Sequence, residues 1–459
     1  MNRKETKDSN AEVNLADSVL CPESWPFSLE WLPVPAFMVG GAVRDALLGR
    51  RREYLDLDFV LPTGAVETAS TIARHYQAGF VLLDAQRQIA RVVFKNATAD
   101  FAQQEGESLE TDLHRRDFTI NAIAYNPHTE EIIDPLQGYA DLQQGMIRMV
   151  SPANLADDPL RLLRGYRQAA QLGFAIAPET RSAIGELAPK LSQIAAERVR
   201  VELSYLLGSP QGTPWLSAAW EDGILRWILH DNITARNLAI LAEIDRATAN
   251  FSQVWPTLSA ALYSTIPGLA ADAKRTWIAI AKYASLLIPE NWLFQLHTLP
   301  VTLNYTRSEI AIANSSIEDF MKRMTYSVPE IRAVNIILKF LPQLRSPNLS
   351  LREQYFFFQE VGAVFPALTV VAVATGTQIE SLASLIDRYL DPNDQVAHPT
   401  QLINGKDLMQ ALNLPPSPQI GQLLTEIQLA RIEGKISTSA DALKLANQII
   451  KTDIHFHQG

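Results

Sequence analysis

Cysteine is almost absent from this 459-residue sequence, Cys21 being the only one. One thiol builds neither a disulfide framework nor a cysteine zinc site. Long apolar runs are missing too. The most apolar stretch, around Val361–Thr375, is too short and too interrupted to span a bilayer, and reads as a buried helix. The opening residues Met1 to Asn14 are polar and mixed in charge, without the apolar centre of a signal peptide. A cytoplasmic location with no membrane partner is therefore expected. Basic excess is also lacking: 40 Lys and Arg against 50 Asp and Glu give a formal net charge of −10. Any nucleic-acid partner would have to meet a local basic surface. No internal repeat or low-complexity tract is present.

The chain is too long for one core and suffices for two to four domains. Residues 1–28 read as a loose or weakly docked arm. From Pro35 to Val150, β-like runs (Phe37–Val39, Leu57–Leu61, Gly79–Leu83, Ala90–Phe94, Glu131–Asp134) alternate with helical ones (Ala42–Leu48, Ala65–Tyr76). After Pro152 strand signals almost vanish. Helical spacing marks Asp157–Leu172, with Pro159 in its first turn after a cap at Asp157 or Asp158, and then Glu197–Leu207, Pro214–His230, Asn237–Ala247 and Ala270–Leu287. Leu390–Thr400 reads as a linker. The class is α+β: a mixed-sheet head at 29–150 followed by helical segments at 151–210, 211–390 and 391–459.

The chemistry begins at Leu55-Asp-Leu-Asp-Phe59. Apolar and acidic residues alternate, so Asp56 and Asp58 leave one face of a strand. Two carboxylates held that close are costly unless a cation lies between them. Oxygen ligands suit Mg²⁺, which is commonly held by carboxylates and substrate phosphates. Upstream, Gly40-Gly41 precedes Arg44: glycines let backbone approach a phosphate, and arginine grips one. An ordinary strand-to-helix turn is the alternative. If its strand pairs beside the first, Asp100 completes a carboxylate cluster for two metal ions; a solvated strand face is the other reading. Arg115-Arg-Asp-Phe-Thr-Ile-Asn-Ala122 offers donors for phosphate and acceptors for a ribose hydroxyl, or a helix cap with flanking charges. Asp158 and Arg161, three apart, make a helical ion pair or a base reader. Cytosine and adenine both place an amino donor beside a ring-nitrogen acceptor, and a carboxylate with an arginine would accept both.

Taken in order, these segments resemble the class II tRNA nucleotidyltransferases, the CCA-adding enzymes, and their relatives the bacterial poly(A) polymerases. The matching text also includes Asp134-Pro-Leu-Gln-Gly-Tyr-Ala-Asp-Leu142, Asp157-Asp-Pro-Leu-Arg161 and Glu197-Arg-Val-Arg-Val-Glu-Leu203, with a weaker echo in Leu402–Leu408 and Ile420–Lys435. The resemblance implies a polymerase-β-like head, then an all-α neck, body and tail that clamp the tRNA elbow and acceptor stem. It implies untemplated addition of C, C and A to the tRNA 3′ end from CTP and ATP with Mg²⁺. Carried over by residue, Asp56 and Asp58 hold metal, with Asp100 as a candidate third ligand. Gly40, Gly41 and Arg44 lie at the triphosphate; Arg116, Asp117 and Asn121 lie at the sugar and phosphates. Asp158 and Arg161 read the base, Arg164 reaches phosphate, and Asp157, Glu197 and Arg198 brace the base-reading helix.

Two departures stand out. The base-reading motif usually begins with glutamate, and here Asp157 stands there. Between Asp100 and Arg115 lie only Phe101 to His114, with four acids and no arginine, where full CCA-adding members carry a longer loop containing arginine. A CC-adding enzyme, needing a separate A-adding partner, is therefore a strong alternative to a CCA-adding one. Poly(A) polymerase and a catalytically dead RNA-binding protein are the remaining readings. His455-Phe-His457, His230-Asp231, Tyr355-Phe-Phe-Phe358, Trp215, Trp220, Lys406, Arg431, Lys435 and Lys444 are read as ordinary tail, core or surface residues.

Overall fold

The computed structural model describes residues 18–51, 53–229, 234–269, 275–289, 307–345 and 348–456. The arm at 1–17 and the pair His230-Asp231 lie outside them, as does His457. By contact the chain divides into two compact units, 1–202 with 214–228, and 203–213 with 229–459.

The first unit opens with a seven-stranded mixed sheet. Its strands are β1 (Phe37–Val39), β2 (Leu55–Leu61), β3 (Gly79–Asp84), β4 (Ile89–Val93), β5 (Ala97–Gln103), β6 (Ala124–Asn126) and β7 (Glu131–Ile133). They lie in the order β3-β4-β5-β2-β1-β6-β7, and only the β2–β5 pair is parallel. Five strands match the sequence expectation; β5 and β6 were not anticipated. β5 is rich in alanine, which favours strands poorly, but it sits between two ladders that supply its hydrogen bonds.

Alternation gives the two faces of β2 and β5 opposite characters. Leu57, Phe59, Ala99 and Phe101 are buried on one side, with the Phe59 and Phe101 rings stacked at 5.3 Å. Trp25 and Phe27 close this layer at 5.1 and 5.8 Å from Phe59 and are 7% and 3% exposed. From Ser18 onward the expected loose arm is thus docked on the head, because its aromatic residues complete the core. Helix α2 (Ala65–His75) packs on β4 and β5. Asp56, Asp58, Thr98 and Asp100 alternate onto the opposite side. Helix α1 (Gly41–Leu47) follows β1, and the one-turn helix α3 (Leu109–Leu113) follows β5.

At the neck a helix not anticipated, α4 (Pro152–Asp157), precedes the expected one, α5 (Leu160–Leu172), and Asp158 accepts from Leu160 N at 3.3 Å as one of the two expected caps. Asp158 between them is extended at φ −130°, ψ 91°, because the ring of Pro159 pushes the preceding residue out of the helical region. Met146–Ile147 and Ala175–Ile176 form a short parallel pair, so strand does not vanish after the head. The expected helix Pro214–His230 is also broken. Gly212–Glu221 and Leu225–Ile228 flank a turn at Gly223, whose φ is +74°.

The second unit is helical among the described residues. Gly362, at φ +49°, breaks the run Leu351–Ala374 into helices Leu351–Val361 and Phe365–Ala374. This run is long and apolar enough to span a membrane by composition, yet 67% of its most apolar window is buried. Tyr355, Phe357 and Phe358 are core residues as expected, whereas Phe356 is 51% exposed. The expected linker 390–400 is a pinned loop: the Asp394 carboxylate accepts from the N–H groups of Val396 and Ala397 and from Arg388. Helices Gly405–Leu412, Pro418–Ile432 and Ser439–Phe456 close on a core of Ile403, Leu408, Ile420, Leu423 and Ile427.

Candidate active site

The polar face of β2 and β5 is the floor of the site. In register, Asp56 lies opposite Thr98, and Asp58 opposite Asp100. Thr98 Oγ1 donates to Asp56 Oδ1 at 2.8 Å. Arg91, opposite Asp100 on β4, donates to both of its carboxylate oxygens at 2.6 and 2.7 Å. The β1–α1 turn overhangs this floor. Gly40 has φ +71°, ψ −138°, a region closed to residues with a side chain. A Cβ there would meet Asp58 Oδ2 at 3.3 Å and Arg116 Nη1 at 3.6 Å. The glycine therefore lets backbone lie directly over the acidic pair.

The wall of the site is a ladder between the Arg115–Asn121 segment and α5. Positions 161, 164 and 168 recur at helical spacing, so they share one face. Arg161 Nη1 donates to the carbonyls of Arg115 and Asn154, both at 2.9 Å. Arg164 Nη1 stands 3.7 Å from Asp117 Oδ2. Gln168 Oε1 accepts from Asn121 Nδ2 at 3.0 Å. Asn121 also donates to Asp117 Oδ1 at 2.9 Å and accepts from Arg44 Nη1 at 2.8 Å. Arg44 in turn is buried against Asp45 at 2.7 Å. Arg116 pairs with Asp112 at 3.1 Å. The Nε atoms of Arg116 and Arg164 are buried without a hydrogen-bond partner, that of Arg164 standing 3.7 Å from Glu202 Oε1.

Electrostatics set the acids apart. Burial, then the charges of Asp56 and Asp100, push the Asp58 carboxyl up to about 7. Burial would raise Asp117 as well, but Arg164, Asn121 and the Phe118 N–H outweigh it and hold Asp117 below its ordinary value. Asp117 and then Glu202 keep Arg164 firmly charged against its own desolvation. The donor set of Asp56 and Asp58 fits Mg²⁺: the oxygens are hard, and the charges of Arg116 and Arg91 do not offset the burial and like charges that oppose ionisation of Asp58. Asp100 does not fit as a third ligand in this arrangement, since Arg91 occupies both of its oxygens. No group of three such ligands is assembled among the described residues.

Residues 36–148 match the poly A polymerase head domain, 173–232 the probable RNA and SrmB-binding site of polymerase A, and 304–446 a putative second domain of tRNA nucleotidyltransferase. Over 449 residues the chain is 48% identical to the CC-adding tRNA nucleotidyltransferase of Synechocystis sp., covering 95% of this chain and 100% of that protein. The chain belongs to the tRNA nucleotidyltransferase family. The CC-adding enzyme of Geobacter sulfurreducens is 30% identical, with 89% of this chain and 90% of that protein covered. A solved Thermotoga maritima CCA-adding enzyme complexed with tRNA shares the fold, with a TM-score of 0.62 at 20% identity and 91% of each chain covered.

Within this tRNA nucleotidyltransferase several expected partnerships are replaced. Asp158 and Arg161 do not pair along a helix, because Asp158 precedes it. The Asp158 carboxylate is held instead by Arg198 at 2.8 and 3.2 Å. Asp157 ends α4 and is exposed, and two backbone carbonyls do the bracing of Arg161 assigned to it. Glu197 is 72% exposed, and the cation beside it, Arg200, is 4.0 Å away, so of Glu197 and Arg198 only Arg198 reaches Asp158. Asp100 faces the site from β5, which does pair beside β2. Sequence reasoning missed Thr98, Arg91, Gln168 and Asn154. Thr98 had a signal, since Thr98-Ala-Asp100 repeats the period-two spacing of Asp56-Leu-Asp58. Gln168 and Asn154 act on partners 47 and 40 residues away, and Arg91 acts across the β4–β5 pair.

Proposed function

We propose that this chain adds cytidine only, transferring CMP from CTP twice onto a tRNA 3′ end and leaving the terminal adenosine to another enzyme. The observation that carries the proposal is the connection between β5 and Arg115. Only residues 104–108 and His114 lie outside regular structure there. Ser108 caps α3 by accepting from Thr111 N at 3.2 Å, and Asp112 and Glu105 are ion-paired to Arg116 and Arg115. The longer arginine-bearing loop that accompanies A addition in the resemblance described above has no counterpart in this short, folded segment. The 48% identity to a CC-adding relative supports the same reading.

In this reading the tRNA 3′ oxygen attacks the α-phosphorus of CTP. The bond from α-phosphorus to the bridging oxygen breaks, pyrophosphate leaves, and the hydroxyl proton passes to water. Asp56 and Asp58 would hold Mg²⁺, which when bound supplies charge neutralisation at the reacting phosphate. Gly40 and Gly41 allow the triphosphate to lie against backbone, while Arg44, Arg116 and Arg164 give the pocket its positive charge. Asp117 and Asn121 orient the sugar. Asp158, fixed by Arg198, accepts from the cytosine amino group. Arg161 spends only Nη1 on its two carbonyls and keeps further N–H donors for the ring nitrogen.

The test is to incubate the protein with tRNA lacking its 3′ CCA, with CTP and ATP both present, and to sequence the product ends. Products ending in CC support the reading. Products ending in CCA refute the specificity. ATP tails on unrelated RNA, with CTP ignored, would make the protein a poly(A) polymerase.

A further inference from the structure

Gln168 is a polar side chain in an unusual place. It lies on α5 one turn beyond Arg164 and is 2% exposed, on a helix whose Leu163, Ala169 and Leu172 are buried and apolar. An apolar residue would fill that space without the cost of burying an amide. Its Oε1 accepts from Asn121 Nδ2 at 3.0 Å. That bond matters because an asparagine amide has two ends of opposite polarity. With Nδ2 directed to Gln168 and Asp117, Oδ1 is directed to Arg44 Nη1 at 2.8 Å. Reversing the amide would turn its N–H donors on the Arg44 guanidinium and its oxygen on the Asp117 carboxylate.

We propose that Gln168 is a positioning residue: it locks the Asn121 amide, and so ties the base-reading helix to the groups around the sugar and triphosphate. The proposal rests on the reading of Arg44, Asp117 and Asn121 as nucleotide-binding groups. It accounts for the third rung of the ladder, where Arg161 meets Arg115, Arg164 meets Asp117 and Gln168 meets Asn121. Movement of α5 on binding a base would then be felt at the phosphate side through one hydrogen bond.

Gln168→Met keeps the length of the side chain and removes the acceptor. The expected result is a folded protein whose KM for CTP rises about tenfold, the scale of one hydrogen bond within a charged network, with kcat changed much less. Equilibrium CTP binding should weaken by the same factor. In an Asn121→Ala background the Gln168→Met change should add nothing further, because the partner through which it acts is gone. The proposal is overturned if Gln168→Met leaves KM and CTP binding unchanged. It is equally overturned if the loss lies in kcat alone, or if the two changes multiply. Wild-type protein that binds CTP but never incorporates CMP would defeat the transfer reading, while the binding measurements would still decide the role of Gln168.

Discussion

Asp58 is held near pH 7 by burial and by two neighbouring carboxylates, against an ordinary value of 3.8. The sign of the consequence follows from linkage. In cation-free protein this group contributes stability that is fully present below pH 3.8 and is lost as pH rises through about 7. Bound Mg²⁺ favours the carboxylate and works in the opposite sense. The rise in Tm caused by Mg²⁺ should therefore grow as pH is raised across about 7, and Asp58→Asn should flatten that growth. A Mg²⁺ effect on Tm that ignores pH would contradict the assignment. Asp117, held low, has the reverse dependence: its contribution is present above its ordinary range and is lost in acid. Gly40 permits a second single-residue prediction. Gly40→Ala forces a side chain into a glycine-only conformation and against Asp58 Oδ2. Strain of this kind costs about 1–3 kcal/mol. Denaturant unfolding should show that loss, and CMP incorporation should fall with it, since the intruding methyl sits over the acidic pair.

Between elements, Asn154 carries a load that its position at the start of α4 does not advertise. Its Nδ2 donates to the carbonyls of His114 and Arg116 at 2.7 and 2.8 Å, and its own carbonyl accepts from Arg161. One residue thereby joins the end of α3, the Arg115–Asn121 segment and α5. Asn154→Leu leaves two carbonyls without their donor. The expected loss, by thermal or denaturant unfolding, is roughly 1–3 kcal/mol for each orphaned group that water cannot reach, accompanied by weaker CTP binding. Retention of both stability and binding would show that the segment needs no such tie. Asn154 also marks where the sequence stopped being legible. Period-two alternation exposed Asp56, Asp58 and most of the sheet, and helical spacing exposed α5, because those signals are local. β5 was hidden by its alanines, whose strand conformation is imposed by β2 and β4. The break at Asp158 was legible in principle from Pro159. Gln168, Arg91 and Asn154 were not, since each is defined by a partner 9 to 47 residues away.

On the scale of the molecule, an acidic chain must hold an acidic ligand. With a formal net charge of −10, long-range attraction to RNA cannot come from the protein as a whole. Nor does the tail supply it through all its cations: Lys435 is paired with Glu433 at 2.5 Å, and Arg431 donates to the Thr400 carbonyl. Affinity must then rest on a limited set of arginine and lysine contacts to phosphate, each releasing condensed counterions. tRNA binding should accordingly weaken steeply between roughly 50 and 200 mM salt, with a log–log slope of about −0.7 to −0.9 for each phosphate neutralised. The slope measured by filter binding counts those contacts. The same assay separates holding from chemistry. In the proposed reading Asp58 holds the metal ion and touches no anchoring phosphate, so Asp58→Asn should abolish CMP transfer while leaving tRNA affinity and its salt slope little changed. If the variant instead keeps near-normal turnover, or loses tRNA affinity in step with activity, the acidic pair is not the catalytic centre, and the attraction between this protein and RNA has been placed on the wrong residues.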